Sequence, residues 1–205
     1  VVEKLWIILE ISVKKWKNFR YFCNVGFQSK KQKQMVKFIG EFEVKLDDKG
    51  RLVVPSAFKS AMTKDLLKQE AIEAAAIGRK LNTSDEKEIE LSFVVKKDLF
   101  ANCLDMYPYD EWEKESEQVK NKLNFFNEEH AKFWREYMKG RASVTADSKF
   151  GRIMIPKNIL SSIGIKKEVV FTGNDHKIEI WAKEKYGNDQ MSHSDFIKLT
   201  EKILG

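Results

Sequence analysis

Asp47-Asp48-Lys49-Gly50-Arg51-Leu52-Val53-Val54-Pro55 decides the reading of this chain, because the same statement returns as Asp147-Ser148-Lys149-Phe150-Gly151-Arg152-Ile153-Met154-Ile155-Pro156. In each, polar residues and a glycine signal a turn, and Gly-Arg then leads into three apolar residues closed by proline. The second Gly-Arg follows the first by 101 residues, so the chain is built on an internal repeat.

Upstream of the first turn, Phe42, Val44 and Leu46 alternate with Glu41, Glu43 and Lys45, which is the period of a half-buried strand. Upstream of the second, Ala142, Val144 and Ala146 alternate with Arg141, Ser143 and Thr145. A short helix is expected after each proline. The first carries Ala57, Phe58, Ala61 and Met62 with Ser56 as N-cap; the second carries Ile159, Leu160 and Ile163 with Gly164 as C-cap. Two β-rich runs complete each copy: residues 91–95 and 103–107 correspond to 169–172 and 177–181, with polar turns between. The unit is strand, turn, strand, short helix, strand, turn, strand. Pro55 precedes Leu104 by 49 residues but Pro156 precedes Ile178 by 22, so the first copy carries 27 more. The surplus is assigned to residues 63–87, read as a separate surface helix around 66–81 followed by a polar loop.

Between the copies the spacing turns helical. Asp110 with Glu113 reads as a capping box, and Trp112, Val119, Leu123 and Phe126 share a face. Asn127 is placed to cap a second helix bearing Ala131, Trp134 and Met138 and ended by Gly140. A third helix from about Ser194 puts Phe196, Leu199 and Ile203 on one side. The aromatic set Trp112, Phe125, Phe126, Phe133 and Trp134 is assigned to core or subunit contact rather than to base stacking, because helical spacing is the pattern of a packed face.

Of the 205 residues, 42% are hydrophobic and 33% charged, enough apolar content for a packed core. Two cysteines, Cys23 and Cys103, cannot staple a fold or fill a four-thiolate zinc site, and His130, His176 and His193 show no ligand spacing. No metal or cofactor is expected. Nucleophile elbows, phosphate-binding glycine loops and His-Glu-x-x-His are all missing, so an enzyme is not expected either. Cys103 alternates within a strand and reads as a buried small hydrophobe. The longest apolar run, near residues 5–13, is interrupted by Glu10 and falls short of the ~20 residues of a membrane span. A soluble cytoplasmic protein with no membrane partner and no small-molecule substrate is expected.

The formal charge of +6 invites a nucleic-acid reading, but its distribution is uneven. Residues 1–34 hold eight Lys or Arg against Glu3 and Glu10, which is the entire excess, and residues 35–205 balance to zero. The first 34 residues lack methionine, a clear period and the apolar core of a signal peptide. They read as a translated upstream region or a frayed extension, with a basic arm touching nucleic acid or a membrane surface as the alternative.

The twinned turns carry the signal for function. A turn between strands projects its side chains away from the sheet, where they can reach a groove. Lys49 and Arg51, and again Lys149 and Arg152, put cations at both tips. The arginine fork fits phosphate or the O6/N7 edge of guanine, and Asp47 can hold Arg51 in one orientation. Two readings stand side by side at this point: the arginines reach for a partner, or each only ties its own turn together.

The run from Phe38-Ile39-Gly40-Glu41-Phe42 through Pro55, then Leu104-Asp105-Met106-Tyr107-Pro108 with Glu111-Trp112, resembles the MraZ family. Gly151–Pro156 and Ile178-Glu179-Ile180-Trp181 continue the likeness, which covers roughly residues 35–186. The resemblance implies a mainly β fold with helices (α+β). Two swapped-hairpin βαββ-type repeats, related to the AbrB class, would intertwine into a double-split β-barrel. It also implies a sequence-specific, nucleoid-associated transcriptional regulator, read as a repressor of the division and cell-wall gene cluster. Such a protein binds direct repeats in promoter double-stranded DNA as a ring-shaped homo-oligomer.

An Asp-x-x-x-Arg motif in each half is the family's DNA-reading element. Asp47 and Arg51 conform to it. Asp147 lies five residues before Arg152, so either the second turn holds one extra residue or Ser148 replaces the acid. Lys49, Arg51, Lys149 and Arg152 are thus the DNA-binding candidates, with Asp47, Gly50, Asp147 and Gly151 supporting them. The expected organisation is an extension over 1–34, a first repeat over 35–109, connecting helices over 110–140, a second repeat over 141–186 and a terminal helix over 187–205. The alternative from another class is an antitoxin-like or scaffold oligomer whose turns contact protein.

Overall fold

The alternation that begins at Glu41 forms β1 (Glu41–Lys45) in the computed structural model, which describes residues 36–76, 90–189 and 191–205. There follow β2 (Leu52–Val53), α1 (Ser56–Ala76), β3 (Ser92–Lys97), β4 (Cys103–Pro108), α2 (Tyr109–Lys120) and α3 (Glu128–Met138). The second repeat supplies β5 (Ala142–Thr145), β6 (Arg152–Ile153), α4 (Lys157–Ser162), β7 (Glu168–Asn174) and β8 (Lys177–Ala182). A short helix α5 (Lys183–Tyr186), one 3-10 turn and α6 (His193–Leu204) end the chain. The fold is mixed α/β, and both repeats share the order strand, strand, helix, strand, strand.

The strands pair across the repeats. A six-stranded antiparallel sheet runs β1-β7-β8-β4-β3-β5, and β2 and β6 form a separate two-stranded sheet. Each repeat therefore gives its first strand to the other: Phe42 faces Phe171 and Val44 faces Val169, while Val144 faces Phe93 and Ala142 faces Val95. The order reads the same from either edge, with β4 against β8 at the centre through Leu104↔Ile180 and Asp105↔Glu179. The sheet keeps two edges, β1 and β5, so it is not a closed barrel.

The apolar runs after each Gly-Arg explain why the small sheet forms. Leu52 and Val54 are buried while Val53 between them is exposed; Ile153 and Ile155 are buried while Met154 is exposed. These side chains enter one core with Phe38, Phe93, Met106 and Phe171. Pro55 and Pro156 cannot donate to a ladder, so each run stops after two paired residues and turns into helix.

Several local expectations are corrected. Residues 56–76 form one helix of 21 residues rather than a short helix plus a separate one, because 63–76 contain no glycine or proline and are rich in Ala, Leu, Glu, Gln and Lys. The rest of the expected insertion, from 77, lies outside the described residues, as does the extension over 1–34. Ser56 is the first helical residue, not the cap, since the Pro55 carbonyl already accepts from Phe58 and Lys59 N–H. Pro156 does the same for Ile159 and Leu160. Asp110 and Glu113 form no capping box, because α2 starts after Pro108 with no side-chain cap. Asn127 does cap α3, its Oδ1 accepting from Glu129 and His130 N–H.

The aromatic set divides. Trp112 is buried against Val94 and Tyr107, but Phe125, Phe126 and Phe133 are exposed, so they are not core. Phe196, Leu199 and Ile203 on α6 are exposed as well. Cys103 is fully buried, and burial pushes its thiol well above the ordinary range. Among the described residues no helix is long and apolar enough to cross a membrane.

Candidate nucleic-acid interface

Both turns are built around an aspartate. In the first, Asp47 N–H donates to the Arg51 carbonyl at 2.9 Å, and Gly50 N–H donates to the Asp47 carbonyl at 2.9 Å. The Asp47 carboxylate then accepts from Lys49 N–H at 2.9 Å and Arg51 N–H at 2.8 Å through Oδ1. Its Oδ2 accepts from Arg51 Nε at 2.8 Å and lies 2.7 Å from Nη2. The Arg51 hydrogen bond is the main reason the Asp47 carboxyl is held down at about 2, with the Arg51 backbone N–H next. Aspartate is the residue for this place because a short side chain can reach backbone donors two to four residues ahead.

The second turn makes the same closure with one more residue. Asp147 N–H donates to the Arg152 carbonyl at 2.9 Å and Gly151 N–H to the Asp147 carbonyl at 2.8 Å. Asp147 Oδ1 accepts from Phe150 N–H at 2.6 Å and Oδ2 from Arg152 Nε at 2.7 Å. The Arg152 bond holds the Asp147 carboxyl below its ordinary value. The ambiguity in the sequence is thereby settled: the turn carries an extra residue, and Asp147, not Ser148, pairs with the arginine. Gly50 and Gly151 both take positive φ, 76° and 68°, the conformation each tip needs and other residues resist.

Antiparallel pairing of β2 with β6 sets the two turns at the two ends of one short ribbon. Leu52 faces Ile153 and Val53 faces Arg152, and Val54 N–H donates to the Gly151 carbonyl at 2.9 Å. Arg51 and Arg152 consequently line one concavity of about 610 Å³ with Thr145, Asp147, Ser148 and Met154. Lys49 and Lys149 are exposed at the tips. Arg152 spends Nε on its aspartate and Arg51 spends Nε and Nη2, which leaves the Nη1 hydrogens of each to an outside acceptor. Of the eight residues singled out from the sequence, Arg51, Asp147 and Arg152 line this concavity.

Two contributors escape a reading by motif. Lys59 on α1 donates from Nζ to the Phe150 carbonyl at 3.2 Å, across 91 residues of chain, and only the fold joins them. Phe150 is half exposed at the second tip, with Arg152 Cζ 4.4 Å and Lys149 Nζ 5.3 Å from its ring centroid. Its signal was visible as the residue by which the second turn exceeds the first. Among the described residues no cluster of His, Cys, Asp and Glu is arranged to hold a metal.

Comparison with known proteins gives a consistent set of likenesses. A family model described as "MraZ protein, putative antitoxin-like" matches residues 138–202, the second repeat and its flanks. A protein of Bacteroides thetaiotaomicron named transcriptional regulator MraZ is 32% identical over 170 residues, covering 83% of this chain and 94% of its own. The protein of that name from Christiangramia forsetii is 34% identical over 172 residues, 83% of this chain and 95% of its own. Another, from Clostridium tetani, is 30% identical over 166 residues, 81% and 96% respectively.

Proposed function

This chain belongs to the MraZ family, and from that premise we propose that it is a sequence-specific transcriptional regulator whose paired turns read double-stranded DNA. The observation that carries the proposal is the β2–β6 pairing, which lets the arginines of two Asp–Arg pairs from distant parts of the chain line one concavity. An arginine held by a carboxylate keeps its fork in one orientation, which is what bidentate contact with guanine O6 and N7 requires. Lys49 and Lys149 then act on phosphates, positioning the tips without reading sequence.

In the fuller form of this reading the chain represses the division and cell-wall gene cluster. It acts on tandem promoter repeats as a ring-shaped homo-oligomer, in the cytoplasm at the nucleoid, by binding rather than catalysis. The exchange of first strands between repeats supports the swapped-hairpin class for its fold. The exposed aromatics of α3 and its approach, Phe125, Phe126 and Phe133, supply candidate subunit contacts.

The test is a binding titration with the DNA upstream of the chain's own reading frame. Arg51→Ala should cost roughly 1–3 kcal/mol per site and relax sequence preference, while Lys49→Ala weakens all sequences alike. An Arg51→Ala protein that binds this DNA as tightly as wild type would show that the turns serve another partner, such as protein.

A further inference from the structure

The two tips are not equivalent, and the difference is one residue. The first turn passes from Lys49 directly to Gly50, whereas the second places Phe150 between Lys149 and Gly151. Phe150 is an apolar ring left half exposed where water should disfavour it, yet its backbone is fixed at both ends. Its N–H is held by Asp147 Oδ1 at 2.6 Å and its carbonyl by Lys59 Nζ at 3.2 Å. The ring itself is flanked by Arg152 and Lys149.

We infer that Phe150 is a specificity residue, which contacts the C5-methyl group of a thymine next to the base read by Arg152. The inference rests on the DNA-reading function proposed above. In a major groove the bases present their edges, and the apolar group among them is the thymine methyl, whereas wedging between base steps is a minor-groove device. A guanidinium 4.4 Å from the ring centroid occupies a face of the ring, so wedging between bases is disfavoured and the ring edge is what remains. The first tip has no counterpart, and its half of the site carries no such requirement. One protomer therefore reads an asymmetric element and fixes its own direction on the duplex.

The experiment uses the full chain and the duplex upstream of its reading frame, made once with thymine and once with uracil throughout, which removes only the methyl groups. Wild type should bind the uracil duplex about fourfold more weakly for each subunit engaged, the ratio expected for one buried methyl-sized group. Phe150→Ala should bind the thymine duplex at that weaker level and show a ratio near one. Thermal melting of the variant checks that the fold is retained, as the exposed position leads us to expect. A wild-type ratio of one overturns the inference, and so does a wild-type ratio that persists unchanged in Phe150→Ala. If wild type prefers this duplex over unrelated DNA but ignores the methyl groups, only the inference falls. If it has no such preference, the DNA-reading function falls with it.

Discussion

An arginine beside an aspartate reads as a local tie until its surroundings are known. At the first tip one carboxylate accepts from two backbone N–H groups and the Arg51 side chain, so the turn and its cation are ordered by the same group. The Asp47 carboxyl sits at about 2, below the ~3.9 of an unfolded chain. A depressed value in the fold means the pairing stabilises fully above ~4 and is lost as pH falls from there through about 2. An NMR titration should place the Asp47 carboxyl near 2, and Arg51→Ala should return it toward the ordinary range. The glycines offer a second check. Gly50 has open space around it, so Gly50→Ala should cost about 1–2 kcal/mol for its positive φ alone. At Gly151 a methyl would also come within 2.4 Å of Lys59 Cδ, so Gly151→Ala should cost a similar amount in thermal melts and in addition displace the flexible lysine that holds Phe150.

The central strand pair carries a tension that its elements resolve together. Asp105 and Glu179 face each other across β4 and β8, two acids where like charges repel. Lys177 answers both, at 2.7 Å from Asp105 and 3.6 Å from Glu179, and also lies 3.6 Å from Asp98. Burial still pushes the Asp105 carboxyl up, because that side chain is only 2% exposed. Lys96, which is 3.9 Å from Asp105, donates to Glu115 on α2 at 2.9 Å and so joins the sheet to that helix. Lys177→Met should cost about 3 kcal/mol in chemical denaturation, since it leaves the buried Asp105 carboxylate with only the more distant Lys96 as a cation. The loss should shrink toward acid pH, where Asp105 takes up a proton and the missing charge matters less. The paired helices α2 and α3 are then held by Tyr137, which donates to Glu115 at 3.3 Å and stacks on Trp112.

For the whole molecule the question is where affinity would come from. Residues 35–205 are formally neutral, and each tip arginine is already balanced by its aspartate. A single copy lacks the broad basic surface that gives most DNA-binding proteins their salt-dependent affinity. Under the proposed assembly, neighbouring subunits engage tandem repeats at high effective concentration, a gain of ~10²–10⁴ without new contacts. Affinity should accordingly rise steeply from one repeat to two and three, measured beside the mass in solution by light scattering. Phe126→Asp, placed on a fully exposed ring, should lower that mass and flatten the dependence. A monomer that binds one repeat as tightly as three would end this account.

By itself the sequence determined the repeat, its element order, the two turns and the residues at their tips, because alternation, Gly-Arg and proline are local signals with local physical causes. It left the length of the second turn ambiguous, since spacing alone cannot say which acid meets Arg152. Helix starts were misplaced where proline precedes them: the Pro55 carbonyl accepts the first helical N–H bonds ahead of Ser56, and α2 starts after Pro108 with no side-chain cap. Only the tertiary structure decided that β1 leaves its own repeat for β7 and β5 leaves its own for β3. Nothing in a strand's own residues names its partner: half-buried alternation fits any edge of matching polarity, and the choice is made by what the whole core can bury at once. The same packing brought Lys59 to Phe150 and both arginines to one concavity, which no spacing along the chain encodes.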